Sequence, residues 1–293
     1  MLISPAADIA VAALFGLLLG SFLNVVVHRL PAMMERQWRA ECIAFMADKG
    51  IGTAPAPTET APAPPAERFD LIAPRSRCPS CGHAIRWYEN LPVVSWIALR
   101  GKCSQCRAPI GLRYPAVELA TAGLFAFCAY RWGITPAGVA WSGFAAALLT
   151  LALIDWDTTL LPDDITLPLL WAGLIAAALH WTPVPLLAAL WGAVAGYLSL
   201  WSIYWVFKLL TGKEGMGYGD FKLFAALGAW FGWEALVPLI LVASIVGAVV
   251  GIGMKLRSSL REGGYVPFGP FLAAAGLAGM AFEPAWVLRI AGF

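Results

Sequence analysis

Two carboxylates and four thiols are the side chains of this sequence whose spacing can do chemistry. Asp220 stands in GMGYGDFKL (215–223), behind Gly215, Gly217 and Gly219 and just ahead of a long apolar run. An earlier acidic cluster, LALIDWDTTLLPDDITLP (151–168), carries Asp155, Asp157, Asp163 and Asp164. An ionisable group within an apolar segment costs roughly 2.5–3.5 kcal/mol on insertion scales, so each is a functional candidate. Two carboxylates held together cannot both ionise easily. They share a proton, and the pair can activate water while protonating a scissile carbonyl, which is aspartyl-protease chemistry. It needs no metal and no nucleophilic Ser or Cys. The glycines at 215, 217 and 219 would let an extended peptide backbone approach Asp220, with Gly217 and Gly219 as candidate substrate-binding positions. Each acid also has a bland reading. Asp157 suits a solvated loop, Asp163 or Asp164 suits an N-cap ahead of ITLPLLW, and Asp220 itself suits an N-cap at a glycine-rich turn.

The thiols form two knuckles, CPSC (78–81) and CSQC (103–106), with 21 residues between them. Cys78, Cys81, Cys103 and Cys106 can meet one ion as four soft ligands, a set that suits tetrahedral Zn²⁺. Four thiolates leave no open position, so the ion is expected to be structural. The alternatives are paired disulfides, which a reducing compartment disfavours, or a redox CxxC motif. His83 lies near enough in sequence to compete as a ligand, and Cys42 and Cys128 have no place in the pattern.

These groups must be positioned by a membrane protein. The chain of 293 residues is 60% hydrophobic and only 13% charged, with mean hydropathy +0.72. A soluble domain would carry about 25% charged residues. A net charge of +2, with no basic block, gives no reason to expect nucleic acid as a partner. Bilayer spans need roughly 20 apolar residues. The pattern predicts eight, near 8–28, 114–132, 136–155, 165–181, 184–208, 220–232, 233–255 and 266–290. The first has no basic region ahead of it and is too long for a cleaved signal peptide. The expected fold is therefore an all-α polytopic membrane protein of about eight transmembrane helices. Residues 1–28 hold the first helix, 29–113 a large loop with the zinc knuckles, and 114–293 a seven-helix core. Within the loop, TAPAPTETAPAPPA (53–66) is a Pro/Ala-rich linker with no capacity for a core.

Twelve of the 20 Lys and Arg residues lie between Arg29 and Arg113. With that loop cytoplasmic, Lys208, Lys213, Lys222, Lys255, Arg257 and Arg261 fall on the same side, which makes 18 of 20 inside. Both termini are then outside. Asp155, ending one span, and Asp220, opening another, come to the cytoplasmic face at similar depth.

In combination these segments resemble the prepilin peptidases, the GxGD-type intramembrane aspartyl proteases of type IV prepilins and type II secretion pseudopilins. GSFLNVVVHRLP (20–31) is similar to the family's opening motif. RCPSCGHAIRWYENLPVVSWIALRGKCSQCRAPIGLRYPAVE (77–118) is similar to its zinc-bearing loop, and IDWDTTLLPDDITLPLLW (154–171) and GYGDFKL (217–223) to its two catalytic segments. The resemblance covers nearly the whole chain. It implies that the Asp preceding the Leu161-Pro162-Asp163 turn, Asp155 rather than Asp157, is the first catalytic residue and Asp220 the second. It further implies a precursor with a short basic leader as substrate, cleaved at the cytoplasmic face of a bacterial inner membrane. It also implies N-methylation of the new terminus with S-adenosylmethionine, since the loop with all four cysteines is kept. No Gly-rich strand–helix motif of soluble methyltransferases is visible, and the Pro/Ala run departs from the pattern as a tolerated insertion. The rival reading is a proton- or cation-coupled transporter relaying through Asp155 and Asp220. It would require inverted repeats and interrupted helices near the bilayer midplane; the sequence displays no such repeat, and the two acids sit at span ends rather than centres.

Overall fold

The computed structural model describes residues 4–50, 68–257 and 266–282. The Pro/Ala run and the end of the eighth expected span lie outside the described residues. Nine α-helices are described: α1 (Pro5–Asp48), α2 (Val94–Ala98), α3 (Arg113–Trp132), α4 (Pro136–Thr158), α5 (Asp163–Ala178), α6 (Leu186–Thr211), α7 (Tyr218–Phe231), α8 (Leu236–Leu256) and α9 (Gly269–Phe282). Apart from α2, each falls on an expected span, so the chain is all-helical and polytopic. The segments around α1, α4, α6 and α8 are long and apolar enough to cross a bilayer by themselves. The chain divides into two compact units, Leu18–Leu119 and the two segments that flank it.

Helix ends follow local chemistry. Thr135 caps α4 by accepting the Gly138 N–H at 3.1 Å, with Pro136 at the first position, where its missing N–H costs nothing. Gly212 ends α6 in the left-handed region (φ 71°) and returns its N–H to Lys208 O. The first helix runs well past the expected end of its span near residue 28, through Pro31 to Asp48. Its exposed extension is supported by i,i+4 pairs such as Glu35–Arg39 (3.6 Å) and Gln37–Glu41 (2.9 Å).

Two helices of the flanking unit, α6 and α8, carry bulky apolar residues on an exposed face. On α6 the buried face is Ala189, Gly192, Ala193, Gly196, Leu200 and Tyr204, while Leu187, Trp191, Val206 and Leu209 are exposed. On α8, Val237, Ile245, Val249 and Leu256 are exposed in the same way. Water does not tolerate such surfaces on a monomer, and lipid does. Gly192 and Gly196 form a small-xxx-small pair that lets α6 lie directly on the backbone of α7: a Cβ on Gly192 would come within 2.2 Å of Gly228 O, and one on Gly228 within 2.1 Å of Gly192 O.

The shortest expected span, 220–232, proves to be the innermost helix. At 14 residues α7 is about 21 Å long, short of the roughly 30 Å hydrocarbon core. Its length is free of the bilayer because Phe221 and Leu223 to Trp230 are all buried. Trp230 donates from Nε1 to Leu169 O at 2.9 Å, and its ring fills the place where Gly173 has no side chain. Around it Trp141, Phe144 and Phe231 form an aromatic cluster, with Trp132 stacked on Trp141 at 5.2 Å.

Candidate active site and metal centre

The last turn of α4 and the first turn of α7 each carry one buried carboxylate. Asp155 and Asp220 are both 4% exposed, and the charge of one acts directly on the other. Residues two apart on a helix are rotated by about 200°, so only one of Asp155 and Asp157 can face inward. Leu151, Ile154 and Asp155 share the buried face, and Asp157 is exposed. The helix stops just after: Thr159 adopts φ 57° and donates its N–H to Asp155 O at 2.9 Å. Asp163 and Asp164 are first-turn residues of α5 rather than caps, since the capping position belongs to Pro162. Asp163 is exposed and takes both of its 2.7 Å contacts from Lys222 Nζ, two residues beyond Asp220. Asp220 is not a cap either. Gly217 occupies that position, and Asp220 stands three residues inside, its carboxylate accepting a hydrogen bond from the Gly217 backbone. The Asp220 Oδ1 atom is buried with no hydrogen-bond partner.

The three glycines of the approach divide by function. A Cβ on Gly215 would come within 2.9 Å of the Phe207 ring and one on Gly219 within 2.6 Å of Leu161 Cβ, so both permit close packing. At Gly217 the nearest neighbour would be Asp220 Oδ2 at 3.8 Å, so here the missing side chain leaves the carboxylate accessible. One further glycine touches the site. Gly269, the first residue of α9, lies so close to Asp155 that a Cβ there would be 2.6 Å from Oδ2. The only sequence signal for it is a glycine between Phe268 and Pro270 at a helix start, which reads as ordinary punctuation.

In the Leu18–Leu119 unit the four knuckle cysteines converge, their sulfurs all within 4.8 Å of one another. Cys78 Sγ and Cys106 Sγ are 3.7 Å apart. Two thiolates on a tetrahedral Zn²⁺ at about 2.3 Å would stand about 3.8 Å apart, so donor type, number and spacing fit that ion. The same hairpin builds both halves. Cys78 N–H donates to His83 O (2.9 Å) and Cys103 N–H to Ala108 O (2.8 Å), with bridges Arg77–Ala84 and Lys102–Pro109 and left-handed residues Gly82 (φ 72°) and Arg107 (φ 60°). Backbone N–H groups aim at the first sulfur of each knuckle. Those of Cys81 and Ser80 bring the Cys78 thiol down to about 6, and those of Cys106 and Gln105 lower Cys103. Cys81, despite a hydrogen bond from the His83 backbone, is pushed up to about 12 by burial and the neighbouring sulfurs. His83 is not among the converging ligands: the four thiols already fill a tetrahedral shell, and the His83 Nε2 meets Glu89 Oε2 at 3.2 Å. The Glu89 carboxyl is held down at about 2 by the Arg86 N–H and the Ser104 hydroxyl. Cys42 is exposed and Cys128 buried, both apart from the cluster. Beside the cluster lies an open hollow of about 610 Å³, lined by Arg86, Tyr88, Glu89, Ser95 and Ser104 among others.

Comparison with known proteins places both units. Residues 14–132 match the bacterial peptidase A24 N-terminal domain, and residues 142–252 match the type IV leader peptidase family. The chain is 51% identical over 285 residues to a protein of Burkholderia pseudomallei, covering 97% of this chain and 89% of the relative. It is 52% identical over 273 residues to one of Pseudomonas aeruginosa (93% and 89%), and 52% identical over 268 residues to one of Aeromonas salmonicida (90% and 87%). Each of these relatives is named prepilin leader peptidase/N-methyltransferase. No solved structure matches the chain.

Proposed function

This chain belongs to the type IV leader peptidase family, and from that premise we propose that Asp155 and Asp220 are the catalytic pair with which it cuts its substrate. The chain is a membrane peptidase of prepilin-type precursors that also N-methylates, and nothing supports a transporter. The observation that carries the assignment is the burial of two carboxylates from separate helices against each other, with Asp157, Asp163 and Asp164 left outside.

One carboxylate is ionised and the other protonated. The ionised one removes a proton from water as its oxygen attacks the scissile carbonyl, and the protonated one gives its proton to that carbonyl oxygen. The tetrahedral diol then collapses, the C–N bond breaks, and the amine leaves with the proton taken from water. Gly217 is the side from which an extended segment can reach Asp220, and a helical precursor must unwind there to present its amide.

The excess of Lys and Arg in the segments around the loop, Lys208, Lys213, Lys222 and Lys255 supports a cytoplasmic loop and active site in a bacterial inner membrane. Type IV prepilins and type II pseudopilins are the substrate class. Cys78, Cys81, Cys103 and Cys106 would hold Zn²⁺, which fixes the two hairpins and leaves no position for reaction. S-adenosylmethionine is the methyl donor, and when bound it supplies an electrophilic methyl group to the new N-terminal amine. The hollow beside the zinc knuckles has the size for it, with the Tyr88 ring to stack on a purine and Glu89, Ser95 and Arg86 as polar partners.

The test is mass spectrometry of a prepilin co-expressed with the full chain, beside Asp155→Ala and Asp220→Ala. Wild type should remove the leader and add 14 mass units, roughly one methylene, and neither variant should cut. Cleavage surviving in Asp155→Ala alone would transfer the role to Asp157.

A further inference from the structure

We propose that Leu161 is a positioning residue for the carboxylate pair, holding Asp155 and Asp220 in register from a slot that two glycines leave open. The inference rests on the reading that those two acids are the catalytic pair, and concerns how they are held.

Leu161 is half-buried in the short crossing from α4 to α5, just ahead of Pro162, which caps α5. On one side its side chain occupies the space that Gly219 leaves. A Cβ on Gly219 would lie 2.6 Å from Leu161 Cβ and 3.2 Å from Cδ1. On the other side Cδ1 faces Gly269, where an added Cβ would lie 3.1 Å from it. That same Cβ would lie 2.6 Å from Asp155 Oδ2 and 3.1 Å from Asp155 Cγ. Carbon atoms in contact prefer about 3.5–4.0 Å, so neither glycine has room for a methyl. One side chain therefore bears on the residue before Asp220 and on the residue that abuts Asp155. The three segments that build the site, the end of α4, the start of α7 and the start of α9, converge on it.

The two contacts fail in different ways when filled. At Gly219 the obstacle is Leu161 Cβ, which is fixed to the backbone and can move only with it. At Gly269 the nearest obstacle is Oδ2, the end of a rotatable side chain, so a methyl displaces the Asp155 carboxylate and leaves the helices in place. A shift of about 1 Å in a reacting group costs on the order of 100-fold in rate.

The experiment measures kcat and KM separately for leader removal by the purified full chain in lipid nanodiscs, with a prepilin precursor as substrate. Gly269→Ala should melt with wild type, keep its KM and lose about 100-fold in kcat, and Leu161→Ala should lose about tenfold in kcat alone. In the double variant, removing Cδ1 gives the new methyl somewhere to move, so part of the activity lost in Gly269→Ala returns. Wild-type kcat in Leu161→Ala, a loss that appears in KM, or losses that simply add would overturn the proposal. Should Gly269→Ala fail to fold, Leu161→Ala decides alone. Asp155→Asn and Asp220→Asn run alongside: if either still cleaves, the catalytic assignment fails first. If both are dead while Leu161→Ala is unimpaired, only the positioning role fails.

Discussion

Replacing Gly228 with alanine adds one methyl at the tightest helix–helix contact among the described residues. The new carbon would lie 2.1 Å from Gly192 O and 2.4 Å from its carbonyl carbon. Carbon and carbonyl oxygen approach comfortably to about 3.3 Å, so α6 and α7 must part by roughly 1 Å. The obstructing atoms are backbone on a neighbouring helix, so no rotamer change relieves the clash. Overpacking of this kind costs about 1–3 kcal/mol, and the upper part of that range applies. Alanine's better helix propensity returns about 1 kcal/mol. The net loss is about 1–2 kcal/mol, which lowers the melting temperature by roughly 2–8 °C at about 2–4 °C per kcal/mol. Gly143, in the middle of α4, is the control, since nothing lies within 4 Å of a Cβ there. Gly143→Ala should therefore hold or raise the melting temperature. Thermal unfolding in detergent, read from tryptophan fluorescence with Trp141 and Trp230 as buried reporters, measures both. A Gly228→Ala protein that melts at or above wild type, or a Gly143→Ala protein that falls as far, would refute the packing argument.

Three further outcomes follow from the site. Gly217→Val should leave the melting temperature unchanged and raise KM for the precursor, because its side chain enters the space before Asp220, whereas Gly219→Val should lose stability against Leu161; parallel melting and kinetic measurements separate the two. The Lys222–Asp163 pair bridges the starts of α7 and α5 with both side chains partly in solvent, so a charge-exchange cycle (Lys222→Asp, Asp163→Lys and both) should give a coupling of only about 0.2–1 kcal/mol by thermal unfolding. Cys81→Ser should reduce bound zinc, measured by elemental analysis of the purified chain, and make the 68–112 segment sensitive to limited proteolysis.

Much of this was legible because the signals are local. The two CxxC knuckles announce four ligands at fixed spacing, and the structure brings those four together and turns His83 away to Glu89. Eight apolar runs become eight helices because a segment that leaves water must satisfy its own backbone, whether it meets lipid or, as α7 does, protein. The choice of Asp155 over Asp157 rests on the family resemblance, because α4 is apolar on all sides in sequence; packing then shows Leu151 and Ile154 on the inward face, with Asp155 beside them and Asp157 outside. Other features depend on partners far away in sequence. That Gly215 and Gly219 answer to Phe207 and Leu161, and that Gly269 answers to Asp155, is invisible until the helices pack. The continuation of α1 to Asp48 was also hidden, because the end of an apolar run does not oblige a helix to stop.

The doubled hairpin of the metal centre has a consequence for how that segment folds. Each half offers two thiols, so neither can complete a tetrahedral shell, and an ion is saturated only when both hairpins arrive in one arrangement. An ion held there would act as the register between RCPSCGHAI and KCSQCRAPI, fixing a relationship that the 21 residues from Gly82 to Lys102 do not dictate. The second hairpin even places Arg107 where the first uses Gly82, a left-handed residue that costs roughly 1–2 kcal/mol. Zinc binding at a four-thiolate site is worth about 10–16 kcal/mol in zinc-finger peptides, so a centre assembled on that ion would absorb the strain, and a lone second hairpin would have nothing to set against it.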